Sequence, residues 1–151
     1  MPPSFPHQKL DSYKVAREIC LRVYAAKISN AKLRDQAERA ATGMFLQLAE
    51  GLPITGAGLR KKYFTESLGS LHELVAALDL AAMARFMNAN DAAAIIVLAE
   101  RERRMLVGCY SRDAARLPSP RKRPDLPPRG GHAAQVADDF PTSRRRLVRE
   151  S

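Results

Sequence analysis

The amino-acid sequence predicts an all-α protein, an antiparallel up-and-down four-helix bundle with a disordered Pro/Arg-rich C-terminal tail. Two observations predict the bundle and a third the tail. Apolar residues recur at offsets of three and four, which places them on helix faces and not in strands. The periodic stretches are long and the breaks between them short, so successive helices should lie antiparallel. Up to Arg112 the chain is rich in Ala and Leu, whereas beyond Leu117 Pro, Arg and Gly dominate. Such a segment cannot bury enough apolar surface to offset the entropy of ordering it. The 151 residues therefore divide into one cored domain, residues 5–112, and a basic tail, residues 113–151.

The first helix follows a Pro-rich start, with Asp11 or Ser12 as its cap. Val15, Ile19 and Val23 mark its apolar stripe, with Ala16, Cys20 and Tyr24 beside them. Lys14, Arg17, Glu18, Arg22 and Lys27 form the opposite face. It is expected to end near Ser29-Asn30, where the second helix begins. That helix aligns Leu33, Ala37, Ala40, Ala41, Met44, Phe45 and Leu48, and places Arg34 with Glu38 and Asp35 with Arg39 at ion-pair spacing. Gly51 is expected to close it in a left-handed conformation, and Pro53 to prevent its continuation.

After the loop 52–58 the helical period resumes with Tyr63, Ser67, Leu68, Leu71, Val75, Leu78 and Ala82. Ser67, Gly69 and Ser70 stand together where propensity favours Ala or Leu, and a helical Gly costs about 1 kcal/mol relative to Ala. Either another backbone approaches closely there, or the glycine is exposed and merely tolerated. The fourth helix has Asn88, Asn90 and Asp91 as cap candidates, turns highly charged from Glu100 to Arg104, and is expected to end near Ser111-Arg112. The segments Leu74 to Met83 and Ala92 to Ala99 are apolar nearly all round. Self-association would cover them; small Ala-rich faces, on the other reading, need no cover.

No apolar run reaches 18 residues, because Asp79, Arg85 and Asp91 interrupt the most hydrophobic region, and the N-terminus lacks a secretory layout. The expectation is a soluble cytoplasmic protein with no membrane association. Cys20 and Cys109 read as small buried hydrophobes rather than as a disulfide or metal pair. His7, His72 and His132 lie in a terminus, a helix and the tail, without metal-ligand spacing. Gly56-Ala57-Gly58 lacks the Lys-Ser or Lys-Thr of a phosphate-binding loop. Glu50 and Glu73 are the carboxylates to watch, each set among apolar residues, for buried ion pairing or for capping a loop N–H. No catalytic constellation, metal site or cofactor follows.

The net charge is +9. Residues 1–112 hold 16 Lys plus Arg against 11 Asp plus Glu, and residues 113–151 hold 9 against 5, so the folded body is basic as well as the tail. That balance favours an anionic partner such as nucleic acid. The candidate contacts are Arg60, Lys61 and Lys62 at the start of the third helix, Arg101, Arg103 and Arg104 in the fourth, and Arg121, Lys122 and Arg123 in the tail, where Arg144, Arg145 and Arg146 add a further run. For the first cluster, either Glu50 or Glu66 neutralises part of the charge or the helix start receives a phosphate.

Phe5-Pro6-His7-Gln8-Lys9-Leu10 before the first helix, Leu48-Ala49-Glu50-Gly51 closing the second and Leu68-Gly69-Ser70-Leu71-His72-Glu73-Leu74 in the third resemble the four-helix bundle proteins encoded in intervening sequences of 23S ribosomal RNA genes. The accessory variability protein of diversity-generating retroelements is in the same family. The family typically has Asn-Ile-Ala-Glu-Gly where this chain has Gln47-Leu48-Ala49-Glu50-Gly51, and Ser and Pro where Gly43 and Phe45 stand, which marks a divergent member. The resemblance implies a homopentameric barrel with a basic surface, and Glu50, Gly51, Gly69, Ser70 and Glu73 are expected on the residue reading above to be structural. In the retroelement branch it implies binding to a reverse transcriptase and nucleic acid. The resulting expectation is a non-enzymatic homo-oligomer that binds structured RNA, DNA or nucleoprotein electrostatically; the alternative is a protein-interaction adaptor, such as a reverse-transcriptase accessory subunit, whose charge serves solubility and steering.

Overall fold

The computed structural model describes residues 5–116 and contains a short 3₁₀ turn, Pro6–Lys9, and four helices: α1 (Asp11–Ala25), α2 (Ala31–Gly51), α3 (Ala57–Met83) and α4 (Ala89–Arg116). No strand occurs among the described residues. Each helix packs on the next, and α4 returns to pack on α1. Gly51 faces Phe64, Gly43 faces Ser70 and Gln36 bonds Glu73, so α3 descends as α2 rises. The α1–α2 and α3–α4 loops lie at one end, joined by Ser29 N–H donating to the Phe86 carbonyl at 2.9 Å. The expected up-and-down four-helix bundle is therefore present. The expectations about the tail, including Arg121, Lys122, Arg123, His132 and Arg144 to Arg146, lie outside the described residues.

The stripes read from the period form the core. Val15, Ala16, Ile19 and Val23 of α1 and Ala37, Ala40, Ala41, Met44 and Leu48 of α2 are all buried. On α3 the buried side is Phe64, Ser67, Leu71, Leu74, Ala77, Leu78 and Ala81. It is turned slightly from the expected stripe, whose Leu68, Val75 and Ala82 are half-buried, because a helix apolar nearly all round carries no polar face to fix its rotation.

Helix ends differ in detail. Asn30 caps α2 by accepting from Leu33 N–H at 3.1 Å, and Asn88 caps α4 by accepting from Asn90 N–H at 2.8 Å. Neither Asp11 nor Ser12 caps α1; the N-cap is Leu10, with no side-chain bond. α1 stops at Ala25, before the expected Ser29-Asn30, and α4 continues past Ser111-Arg112 to Arg116.

Gly51 does not close α2 in a left-handed turn, since no described glycine has positive φ and the following Leu52 is still helical. Its role is steric. A Cβ at Gly51 would lie 2.9 Å from Phe64 Cε1 and 3.0 Å from Tyr63 Cβ, so hydrogen there lets α3 close on the end of α2. Among the described residues the left-handed one is Arg85, with φ 61°, after α3. Phe86 N–H bonds the Ala81 carbonyl at 2.8 Å and Arg85 N–H the Ala82 carbonyl at 3.0 Å, the paired closure that usually places glycine at this position.

The close helix approach expected at Ser67, Gly69 and Ser70 occurs at the two serines and not at Gly69. Gly69 faces out and a Cβ there would meet nothing. Opposite Ser70 stands Gly43, where a Cβ would come within 3.2 Å of Ser70 Oγ, and the buried Ser67 hydroxyl donates to the Met44 carbonyl at 2.8 Å. Gly51→Ala is expected to lower stability by about 1–3 kcal/mol through overpacking, whereas Gly69→Ala raises it by up to about 1 kcal/mol through helix propensity. Thermal unfolding of the two variants should shift in opposite directions.

Candidate nucleic-acid interface

The basic residues singled out in the sequence fall into two separate clusters. Because α3 begins at Ala57, Arg60, Lys61 and Lys62 occupy its second turn rather than its first. Arg60 is half-buried and its guanidinium donates to the Ile54 carbonyl at 3.2 Å, which ties down the α2–α3 loop. Lys62 lies 3.8 Å from Glu66, one of the two acids expected to neutralise part of this cluster. The second cluster stands midway along α4, level with His72 of α3. At helical rise that sets it roughly 16 Å along the bundle from the first. Arg103 is held by Glu100 in a two-bond fork of 2.7 and 2.9 Å, and Arg104 reaches the same carboxylate at 3.5 Å. That fork lowers the Glu100 carboxyl and raises the Arg103 guanidinium from their ordinary values. Arg101 points outward.

Glu50 and Glu73, expected among apolar neighbours, are both exposed. Glu73 accepts a hydrogen bond from the Gln36 side chain across α2 and α3. The buried carboxylate is a different one, Glu102, fully enclosed on the inner side of α4. Ser12 Oγ donates to its Oε1, which explains why Ser12 does not cap α1, and Oε2 has no partner among the described residues. Burial pushes this carboxyl up to about 7, against the smaller opposing pull of the Ser12 bond and the Arg101 charge. The spacing Ala92, Ile95, Ala99, Glu102, Leu106 is a three-four alternation continuous with the core stripe, a signal masked by the charged run around it.

Other reactive groups are muted. Both cysteines are free; Cys20 Sγ contacts the Ala41 carbonyl at 3.2 Å, and burial pushes its thiol up to about 11, out of the nucleophilic range. Among the described residues, no group of three His, Cys, Asp or Glu is placed to hold a metal ion. No described helix is long and apolar enough to cross a membrane. Between α3 and α4 runs a cleft of about 250 Å³, floored by Leu71, Val75, Ile96 and Ala99 and edged by His72, Asp79, Glu100 and Arg103.

Large apolar side chains also remain in water. Met83 is 82% exposed, Val97 69% and Leu80 52%, so the Leu74 to Met83 and Ala92 to Ala99 segments carry more apolar surface than one chain covers. Fold and surface thus define a class, a small all-α bundle with outward basic charge and an uncovered apolar face on α3 and α4. The chain belongs to the 23S rRNA-intervening sequence protein family, whose model matches residues 8–108. Among curated proteins, none matches the sequence closely enough to count as a relative.

Glu102 makes a pH dependence that can be isolated. Its folded value is raised above the ordinary 4.5, so its contribution to stability is full below pH 4.5, is lost as pH rises toward 7, and is constant above. Denaturant unfolding should show a loss of about 3 kcal/mol between those limits that is absent from Glu102→Gln. Equal pH profiles for the two proteins would show that the carboxylate is solvated.

Proposed function

We propose that the protein is a non-enzymatic cytoplasmic homo-oligomer whose basic surface binds structured RNA or ribonucleoprotein. The observation that carries this reading is the charge of the helical body. Residues 1–112 hold 16 basic against 11 acidic side chains, and one of the eleven, Glu102, is buried with its carboxyl raised to about 7, so the outer surface is more positive than the count alone gives. Membership of a family named for 23S ribosomal RNA intervening sequences supports an RNA partner.

The exposed Leu80, Met83 and Val97 support self-association. Between Tyr63 and Met83, α3 carries Glu66, Glu73 and Asp79 and no Lys or Arg, whereas the later part of α1 and the loop after it, from Ile19 to Asn30, carry Arg22 and Lys27 and no Asp or Glu. The outer face of α1 also exposes Leu21 and Tyr24. α1 and α3 each pack on α2 and α4, and thus stand on opposite sides of the bundle. Complementary faces on opposite sides favour head-to-tail contact, which forms a ring where the rotation between subunits closes; a pentamer is the ring that the family resemblance implies.

The apolar floor of the α3–α4 cleft favours a second reading, a protein-interaction adaptor such as a reverse-transcriptase accessory subunit. Nuclease treatment of the isolated complex separates the two, because an adaptor keeps its partner and an RNA binder releases its own.

Light scattering should return a multiple of the 16.7 kDa chain mass. The double change Leu80→Asp and Met83→Asp should weaken association by at least about 100-fold, since each buried side chain is worth about 1.5–3 kcal/mol. Affinity for a structured RNA, read by fluorescence anisotropy, should fall steeply with salt and drop on Lys61→Glu. A monomeric wild type or a salt-independent affinity overturns the proposal.

A further inference from the structure

We propose that the 3₁₀ turn and the start of α1 form a site for an unpaired nucleotide of an RNA strand, its base stacked on the ring of Phe5 and its phosphate held by Lys14 and Arg17. The site rests on the RNA-binding reading above and uses none of the basic residues of α3 and α4.

Phe5 is 66% exposed, yet it is held in place. Its N–H donates to Gln8 Oε1 at 3.1 Å and its carbonyl accepts from Gln8 N–H at 3.0 Å, while Pro6 fixes the turn between them. The ring stacks on His7 at 5.6 Å with 18° between planes. His7 meets the edge of Tyr13 at 5.4 Å, and Tyr13 packs on Phe45 of α2 at 5.0 Å. Phe45 in turn rests against the core. A ladder of four rings thus runs from the core outward and ends on an aromatic face left in water. A face positioned in advance loses little entropy when a base lands on it, and stacking tolerates any base because every base has a π face.

Beside the ladder opens a cleft of about 320 Å³ lined by Gln8, Tyr13, Lys14 and Arg17. Among the described residues its lining offers an ammonium, a guanidinium, a phenol and an amide N–H, and no carboxylate. Arg17 is exposed and makes no hydrogen bond or ion pair among the described residues, and Lys14 touches only Asp11 at 3.6 Å, both highly exposed. An anion is the ligand such a lining suits. Gln8 braces Phe5 and Tyr13 belongs to the ladder, and both also line the cleft, so the stacking face and the donors adjoin as base and phosphate do on one nucleotide chain. A paired base has both faces already covered within its helix, which leaves unpaired nucleotides as the ligand.

The test is fluorescence anisotropy with a labelled oligouridylate of about ten nucleotides, the same strand with abasic positions, and a duplex RNA of equal length. Phe5→Ala should weaken the oligouridylate about 5- to 150-fold, the worth of one stacked base, and leave the abasic strand and the duplex unchanged. Phe5→Tyr should restore affinity. Lys14→Gln with Arg17→Gln should weaken the oligouridylate and the abasic strand alike and reduce the salt slope by about 0.7 for each phosphate no longer neutralised. Unchanged thermal unfolding of each variant shows that folding is intact. Wild type that binds duplex but no single strand, or Phe5→Ala that binds oligouridylate like wild type, overturns this site alone and leaves the RNA-binding reading standing. Wild type that binds none of the three RNAs overturns both.

Discussion

The fold depends on how closely α2 and α3 approach. Along their seam the side chains that would hold the helices apart are reduced to hydrogen or a hydroxymethyl group: Gly43 opposite Ser70, Ser67 against the Met44 carbonyl, and Gly51 under Tyr63 and Phe64. The serine hydroxyls add little bulk and are hydrogen-bonded, so the seam is tight without leaving a buried donor unpaired. It fixes the register of α2 against α3, and α1 and α4 then occupy the remaining sides with their own apolar stripes.

Within that frame Glu102 is the one charged residue among the described core positions. It occupies a position the helix period reserves for an apolar residue, and among the described residues only Ser12 bonds it. A carboxyl enclosed in this way is stable as the neutral acid, and its ionisation near neutrality works against the fold. The same burial removes a negative charge from the outer surface, which links core chemistry to surface electrostatics.

The outer surface separates two kinds of character. Apolar residues remain uncovered on α3 and α4, where a second protein surface would lower their free energy. Cationic and aromatic groups gather around the 3₁₀ turn and the start of α1, where exposed rings and donors suit a nucleic-acid strand. The proposed assembly and the proposed RNA contact therefore fall on different parts of one small body. A ring of such subunits would repeat each basic cluster around its axis, multiplying weak contacts into firm attachment.

The sequence by itself determined the number of helices, their order and most of their inner faces, because those follow from apolar spacing and capping residues that act within a few positions. It also carried the family likeness that the match over residues 8–108 supports. What it did not determine were features made by residues far apart in the chain. Gly51 looks like a helix terminator until Phe64 is brought against it, and Gly69 looks like a contact residue until α3 turns it outward. Glu102 reads as part of a solvated charge run until α4 rotates it toward Ser12, 90 positions away. The ladder from Phe5 to Phe45 likewise exists only once α2 supplies its last ring. Local spacing sets which residues share a helix face, but the rotation of each helix is chosen by the packing of all four together.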